Sequence, residues 1–344
     1  MRKGQNPAKM GLPNYLPKRL GIAILCWIPF QEGYFKQGLE ILRYQIASIQ
    51  LNTRDFDLIV FDNGSCLEVQ DELRRMQKQG LIHFLILSDF NLGKTGALNW
   101  ILSALPNEII GFSDGDVLFR QGWFEKSLEI LQAFPLAGLV SVQPCLFDIL
   151  DGNGQAYHKL ENDPDYRLSN IQIDPVIVEE YGRGVGLPLE RIEEVKQTPV
   201  PVVEEVKTGV RAVIGQSHMQ FILPREVARR IPPLPSTRGL NRQESKKINE
   251  IVDQLGLVQL TSLEAFVYHL GNQLDGPALE EIRRMDLDSI LQRNIVYQSN
   301  HSRAEIQPSK NLAIKALNRL AQIPFIKRTF LRLYNFLFEF FSQE

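Results

Sequence analysis

The chain has 344 residues, 44% of them hydrophobic and 23% charged, a composition that fits a folded protein and excludes a disordered or fibrous one. Its net charge of −2 provides no global attraction for nucleic acid. Its 3 cysteines, Cys26, Cys66 and Cys145, are too few and too scattered for a disulfide framework or a metal knuckle, which fits a reducing, cytoplasmic setting. The charge is polarised, with Arg2, Lys3, Lys9 and Lys18 and no anion in residues 1–18, and seven cations against three anions in 301–344. Basic ends on an acidic body point to ends that meet something anionic, or the body itself. The polar N-terminus shows no secretion-signal pattern, and no run of 18 apolar residues offers a simple membrane span.

In chain order, residues 20–28 are nearly all apolar, as expected of a strand buried on both faces, and Pro29 ends the run. Leu39, Leu42, Ile46 and Ile49 recur at helical spacing and predict a helix over about 35–50. Strands follow at 56–61, 81–87, 108–113 and 139–142, with helices at 67–79, 98–105 and 121–133 between them. This alternation predicts βαβ units and a mostly parallel sheet flanked by helices. Ligands of such sheets lie at the carboxyl ends of the strands, and the polar clusters at 29–34, 62–65, 91–95 and 114–116 all fall there.

Residues 150–208 are rich in Asp, Glu, Gly and Pro and show little periodicity, which reads as an excursion: a lid or partner-facing loop. They contain an echo, Ile192-Glu-Glu-Val-Lys196 and Val203-Glu-Glu-Val-Lys207, but two copies do not make a solenoid. Regular structure resumes with strands at 212–214 and 219–223, a helix over 248–255 stopped by Gly256, strands at 257–260 and 265–268, and a last helical region at 311–342.

Asp114-Gly-Asp116 sets two carboxylates one residue apart just beyond a buried strand, where they can hold a hard divalent cation and leave positions for phosphate oxygens. The same residues also suit a solvated turn. Asp62-Asn-Gly-Ser65 is a turn signal at the end of the second strand. Gly93-Lys94-Thr95 ends like a phosphate-binding P-loop, but Ser88 stands where that motif needs glycine.

Pro29, Asp62-Asn-Gly-Ser65, Asn91-Leu-Gly-Lys-Thr-Gly-Ala-Leu-Asn99 and Asp114-Gly-Asp116, in this order, resemble the family 2 glycosyltransferases of the GT-A fold. The resemblance is strong over about 20–146 and looser over 210–272. It implies a Rossmann-like α/β domain that moves a sugar from a nucleotide-diphosphate sugar, a UDP-sugar, to an acceptor hydroxyl on a saccharide or lipid-linked acceptor. It also implies Mn²⁺ or Mg²⁺ assistance and, by family default, inversion. Carried over, Asp62 would read the base, and Pro29 and Glu32 would line its pocket. Lys94 would lie near the donor. Asp114 and Asp116 would hold metal and donor, and His269 would complete the metal site. Trp123 and His218 would face the acceptor side. Glu244 falls where the family's acidic pair opens a helix, so it is the candidate base, although its neighbour is Ser245 rather than Asp. That departure keeps open a degenerate, binding-only member. A nucleotidyltransferase would need a glycine-rich, arginine-bearing loop where Pro29-Phe-Gln-Glu-Gly33 stands.

From Phe325 to Ser342, polar residues form a narrow stripe (Arg328, Arg332, Asn335, Glu339, Ser342) on an otherwise aromatic and aliphatic helix, with Lys315, Arg319 and Lys327 flanking it. Such a helix suits the surface of a membrane, or a protein partner. The expected organisation is a basic tail at 1–18, the donor-binding half at 19–149, and an acceptor-side insertion or lid at 150–209. The rest of the domain follows at 210–275, and an amphipathic helical extension at 276–344.

Overall fold

The computed structural model describes residues 15–144, 146, 155–215, 217–235 and 243–293, without the side chains of 155–156 and 243–246. Residues 17–296 form one compact unit. The expected tail up to residue 14 and the helical region 311–342 lie outside the described residues.

The first half alternates as predicted: β1 (Leu20–Cys26), α1 (Gly38–Asn52), β2 (Phe56–Asp62), α2 (Leu67–Lys78), β3 (Phe84–Leu87), α3 (Gly93–Ala104), β4 (Ile109–Asp114), β5 (Val117–Phe119), α4 (Trp123–Ala133) and β6 (Ala137–Ser141). Then come α5 (Gln155–Asn162), β7 (Tyr166–Ile171), α6 (Pro175–Gly184), α7 (Leu189–Gln197) and β8 (Val200–Glu205). The chain continues through β9 (Arg211–Ile214), β10 (Gln220–Pro224), α8 (Arg225–Arg230), α9 (Gln243–Gln254), β11 (Val258–Thr261), β12 (Val267–His269), α10 (Gly276–Arg284) and α11 (Leu287–Leu291).

Ten strands form one sheet in the order β3-β2-β1-β4-β10-β6-β11-β9-β8-β7, and β5 pairs with β12 in a small second sheet. β3, β2, β1 and β4 are mutually parallel. β10 enters antiparallel between β4 and β6, and β9 and β7 also run against the common direction. The continuous apolar runs follow from burial on both faces. Ile22, Ile24 and Cys26 of β1 point into the core under α1, α2 and α4, while Ala23 and Leu25 point into the core under α3, α8 and α9. Each fully buried Leu or Ile contributes about 1.5–3 kcal/mol relative to exposure. Among the described residues no helix is long and apolar enough to cross a membrane.

The middle of the chain departs from its sequence reading. Residues 155–205 are not a loop but three helices and two strands, which extend the main sheet through β9 and close on a core of their own, including Ile173, Val178, Ile192, Val195 and Val202. The first residues of the expected C-terminal extension also belong to the compact unit. α10 and α11 bury Ala278, Ile282, Leu287 and Ile290 in the main core, and the Tyr44 hydroxyl donates to Asp288 at 3.1 Å.

Arg120, just after β5, ties these parts together. Its guanidinium meets Glu281 of α10 at 2.8 Å and Glu180 of α6 at 3.1 Å, donates to the Ala265 carbonyl at 3.2 Å, and lies over the Tyr268 ring. With only 19% of the Arg120 side chain exposed, its removal strands Glu180 and leaves Glu281 to the more exposed Arg284 alone. Arg120→Met is expected to cost roughly 2–4 kcal/mol and to lower the thermal midpoint by several degrees. Glu180→Gln, which leaves Glu281 in place, should cost less. Thermal denaturation of the three proteins checks this, and equal midpoints would contradict it.

Candidate active site

β1 leads outward to β2 and β3, and the chain then returns to β4 on the other side of β1. The carboxyl ends of β1 and β4 therefore flank a switch point, where open α/β sheets leave a crevice. Asp114 closes β4 in register with Leu25 at this crevice. The buried Gln45 amide of α1 fixes the turn, donating to Ser113 Oγ at 2.9 Å and to the Asp114 carbonyl at 2.6 Å. Gly115 lies close against β1, since a Cβ there would stand 3.2 Å from the Leu25 carbonyl oxygen.

Pairing of β5 with β12 sets His269 opposite Val117, and the Leu270 amide donates to the Asp116 carbonyl at 2.8 Å. The two residues thus emerge side by side, with His269 Nε2 3.6 Å from Asp116 Oδ2. Asp116 Oδ1 and His269 Nδ1 are buried without a hydrogen-bond partner. Loss of water raises the Asp116 carboxyl above the usual range and the charge of Asp114 adds to the rise, while His269 and Lys94 oppose it. Asp114 turns elsewhere, and its Oδ2 takes the Lys94 ammonium at 2.7 Å. That ammonium also donates to the His218 carbonyl at 3.3 Å and lies over the Phe112 ring. Among the described residues no three His, Cys, Asp or Glu side chains gather tightly enough to hold a metal ion unaided.

The structure thus brings Lys94, Asp114 and the backbone of His218 together, and beside them Asp116 with His269. Pro29 and Glu32 lie in the loop after β1, with Pro29 half-buried and Glu32 exposed. Asp62 is fully buried. Its carboxylate accepts from the Ser65 amide at 3.2 Å and Gln70 Nε2 at 3.2 Å, so it holds its own turn and presents no surface to a base. The adjoining Asn63 locks that turn to the next polar loop, bonding Asn91 Oδ1 at 3.0 Å and the Leu92 amide at 2.8 Å. Trp123 corrects the acceptor-floor expectation: it is fully buried, packs edge-on against Phe119, and its indole N–H donates to Thr53 Oγ1 at 2.9 Å. Glu244 lies in the first turn of α9, and its side chain is outside the described residues.

A cavity of about 650 Å³ opens over Asp116 and His269. Its wall includes Tyr34, Arg183 and Asn272, none of which the sequence reading singled out. A signal existed in Tyr181-Gly-Arg-Gly-Val-Gly186, where three glycines surround one arginine.

Residues 33–184 match the model of Glycosyl transferase family 2. This part of the chain is a family 2 glycosyltransferase domain. An uncharacterized glycosyltransferase of Nostoc sp. (strain PCC 7120) is 25% identical to the chain over 99 residues, 29% of this chain and 30% of the relative, so the match spans less than a third of that protein. A solved structure of GalNAc-T7 with UDP, GalNAc and Mn²⁺ is similar with 13% identity and a TM-score of 0.46, over 80% of this chain and 50% of the other. The mannosyltransferase PcManGT of Pyrobaculum calidifontis, solved with GDP-Man and Mn²⁺, is similar with 14% identity and a TM-score of 0.44, over 93% and 86%. The glycosyltransferase domain, as matched, carries the Asp114-Gly-Asp116 turn and ends at Gly184. His218 and His269 come from the chain beyond it.

The raised carboxyl of Asp116 has a consequence for stability. A group whose folded pKa lies above its unfolded value holds its proton more tightly when folded, so stability falls as pH rises through that interval. Without metal, Asp116→Asn is expected to raise the thermal midpoint at neutral pH. The gain should shrink to nothing below about pH 4, where the unfolded carboxyl is itself protonated. Thermal melts in chelator at both pH values check this, and a variant less stable than wild type at pH 7 would count against it.

Proposed function

We propose that the protein transfers a sugar from a nucleotide-diphosphate sugar, with UDP as carrier, to a hydroxyl of a saccharide or lipid-linked acceptor. The observation that carries this reading is the Asp116–His269 pair at the strand switch point, with Asp116 Oδ1 buried and unpartnered. A buried carboxylate oxygen with no donor is costly, and a hard cation satisfies it. Asp116 and His269 are an oxygen and a nitrogen ligand that fit Mn²⁺, or Mg²⁺ with its preference for oxygen. Since no third side chain among the described residues joins them, phosphate oxygens and water fill the remaining positions in this reading. Bound there, the ion would stabilise the negative charge of the departing diphosphate.

The chain's own residues supply the rest. Asp114 holds the Lys94 ammonium at the donor side of the crevice, and its second oxygen is left for the ribose. Pro29 and Glu32 wall the base pocket. Asp62 supports that pocket from beneath, keeping the turn between Asp62 and Ser65 in shape. Glu244 serves as the base that takes the acceptor's proton, and attack opposite the departing diphosphate inverts the anomeric carbon. The cation- and phenylalanine-rich stretch 311–342 is the segment for peripheral membrane contact.

Calorimetric titration with UDP in the presence of Mn²⁺ tests the donor site. Wild type should bind, while Asp116→Asn and His269→Ala should each lose at least about tenfold in affinity, the equivalent of one charge-assisted contact. Omission of Mn²⁺ should erase the difference between the three proteins. Equal Mn²⁺-dependent affinity in all three would overturn the assignment.

A further inference from the structure

We propose that Arg183 is the cation that meets the donor's diphosphate and takes up the charge its leaving group gains. The proposal rests on the donor-site reading above and names a residue that reading does not use.

Arg183 lines the same cavity as Asp116 and His269. Its neighbours on α6 are all engaged. Glu180 pairs with Arg120, the Tyr181 ring lies edge-on to His269 at 6.3 Å, and Gly182 sits so close to Ile192 that a Cβ would stand 2.7 Å from its side chain. Gly184 is tighter still, since a Cβ there would fall 2.2 Å from the His269 carbonyl oxygen. From the other side Gly271, at φ +64°, would drive a Cβ to 2.5 Å from the Gly184 carbonyl oxygen. Backbone at such contacts cannot move aside, so the position of Arg183 is fixed relative to the strand that carries His269.

The guanidinium itself makes no ion pair or side-chain hydrogen bond among the described residues. Other cations in this part of the molecule are committed: Lys94 to Asp114, Arg120 to Glu180 and Glu281, and Lys196 to Glu179 and Glu193. The Arg183 charge does reach the Tyr268 phenol on the cavity wall, where it opposes the upward push of burial. A planar, permanently charged fork on the wall of this cavity is suited to bidentate contact with phosphate oxygens.

The chemistry asks for such a group. Transfer breaks the bond between the anomeric carbon and the β-phosphate oxygen, and the bonding pair leaves with that oxygen. The acceptor oxygen bonds to the anomeric carbon, and its proton passes to the base. The nucleoside diphosphate therefore leaves with one more negative charge than it carried in the donor. Interactions that strengthen as charge develops are the ones that accelerate the step. Beside the ion proposed at Asp116 and His269, Lys94 is already neutralised, which leaves Arg183 as the unpaired basic side chain on this wall among the described residues.

The test titrates UDP and UMP, each with Mn²⁺, into wild type, Arg183→Gln and Arg183→Lys, with a thermal melt of each protein to establish folding. Arg183→Gln should weaken UDP binding by about tenfold or more and UMP binding far less, because UMP lacks the β-phosphate. Arg183→Lys should fall between Arg183→Gln and wild type. Unchanged UDP affinity in Arg183→Gln, or equal losses for UDP and UMP, would overturn the proposal and leave the donor site standing. Failure of wild type to bind any nucleoside diphosphate with Mn²⁺ would overturn the donor-site reading itself, and the role of Arg183 with it. If Arg183→Gln did not fold, Arg183→Lys carries the test alone, with a UDP affinity equal to wild type and no UDP–UMP difference as the overturning result.

Discussion

The candidate site depends on a three-residue pairing outside the main sheet. β5 leaves the Asp114-Gly-Asp116 turn and meets β12, and that antiparallel contact delivers His269 to Asp116 from the far end of the domain. Neither strand has enough length to be stable alone, and an isolated two-stranded ribbon is marginal in water. The pair persists because Val117, Leu118, Phe119, Val267 and Tyr268 are buried in the main core, and because Arg120 anchors its end to α6 and α10. Hydrophobic burial thus fixes the backbone, and the backbone fixes the distance between two half-buried polar side chains on the cavity wall. The helices of the insertion and of the C-terminal side matter to the chemistry by holding this ribbon down.

Much of the first half was legible because strands buried on both faces leave a strong mark. Leu20–Cys26 and residues 58–61 read as uninterrupted apolar runs, and the helices between the strands show their inward faces at regular spacing. The polar clusters were legible for the same reason, since each interrupts an apolar run at a strand end. The insertion was not legible, because its helices and strands are half-exposed and their periodicity is diluted by Glu, Asp and Pro. Its repeated segment shows the cause. Ile192-Glu-Glu-Val-Lys196 is helical, while Val203-Glu-Glu of the second copy belongs to β8. The first buries Ile192 and Val195 at helical spacing in the insertion's core, and the second pairs with strands on both sides. Tertiary partners decide between the two states where local preference is weak.

Single site residues divide along the same line. Asp114 and Asp116 stand at a strand end whose location the pattern fixed. Trp123 follows the same turn at a spacing that invited a binding role, but it faces inward, because α4 begins there and its first turn must cover Phe119. Asp62 lies where a base contact was expected, yet its carboxylate is used by the turn it opens. Motif spacing locates a residue on a strand or loop. The direction in which a side chain points depends on its packing partners, such as Gln70 on the following helix for Asp62 and the sequence-distant Thr53 for Trp123.

The contact of Gly184 with Gly271 is backbone against backbone, and a Cβ on Gly184 would meet both the carbonyl and the side chain of His269. Most packing contacts can be tuned by exchanging one side chain for a smaller or larger one. This one cannot, because glycine has nothing left to remove and any addition collides. The insertion can therefore change its outer helices, its charges and its edge strand while the seam to the β12 loop stays at one spacing. Variation in what the cavity admits would come from residues around its rim, such as Tyr34, Val185 and Gln273, whose side chains are free to differ without moving the seam. A fixed seam beside exchangeable lining residues lets the cavity's selectivity drift while its backbone spacing does not.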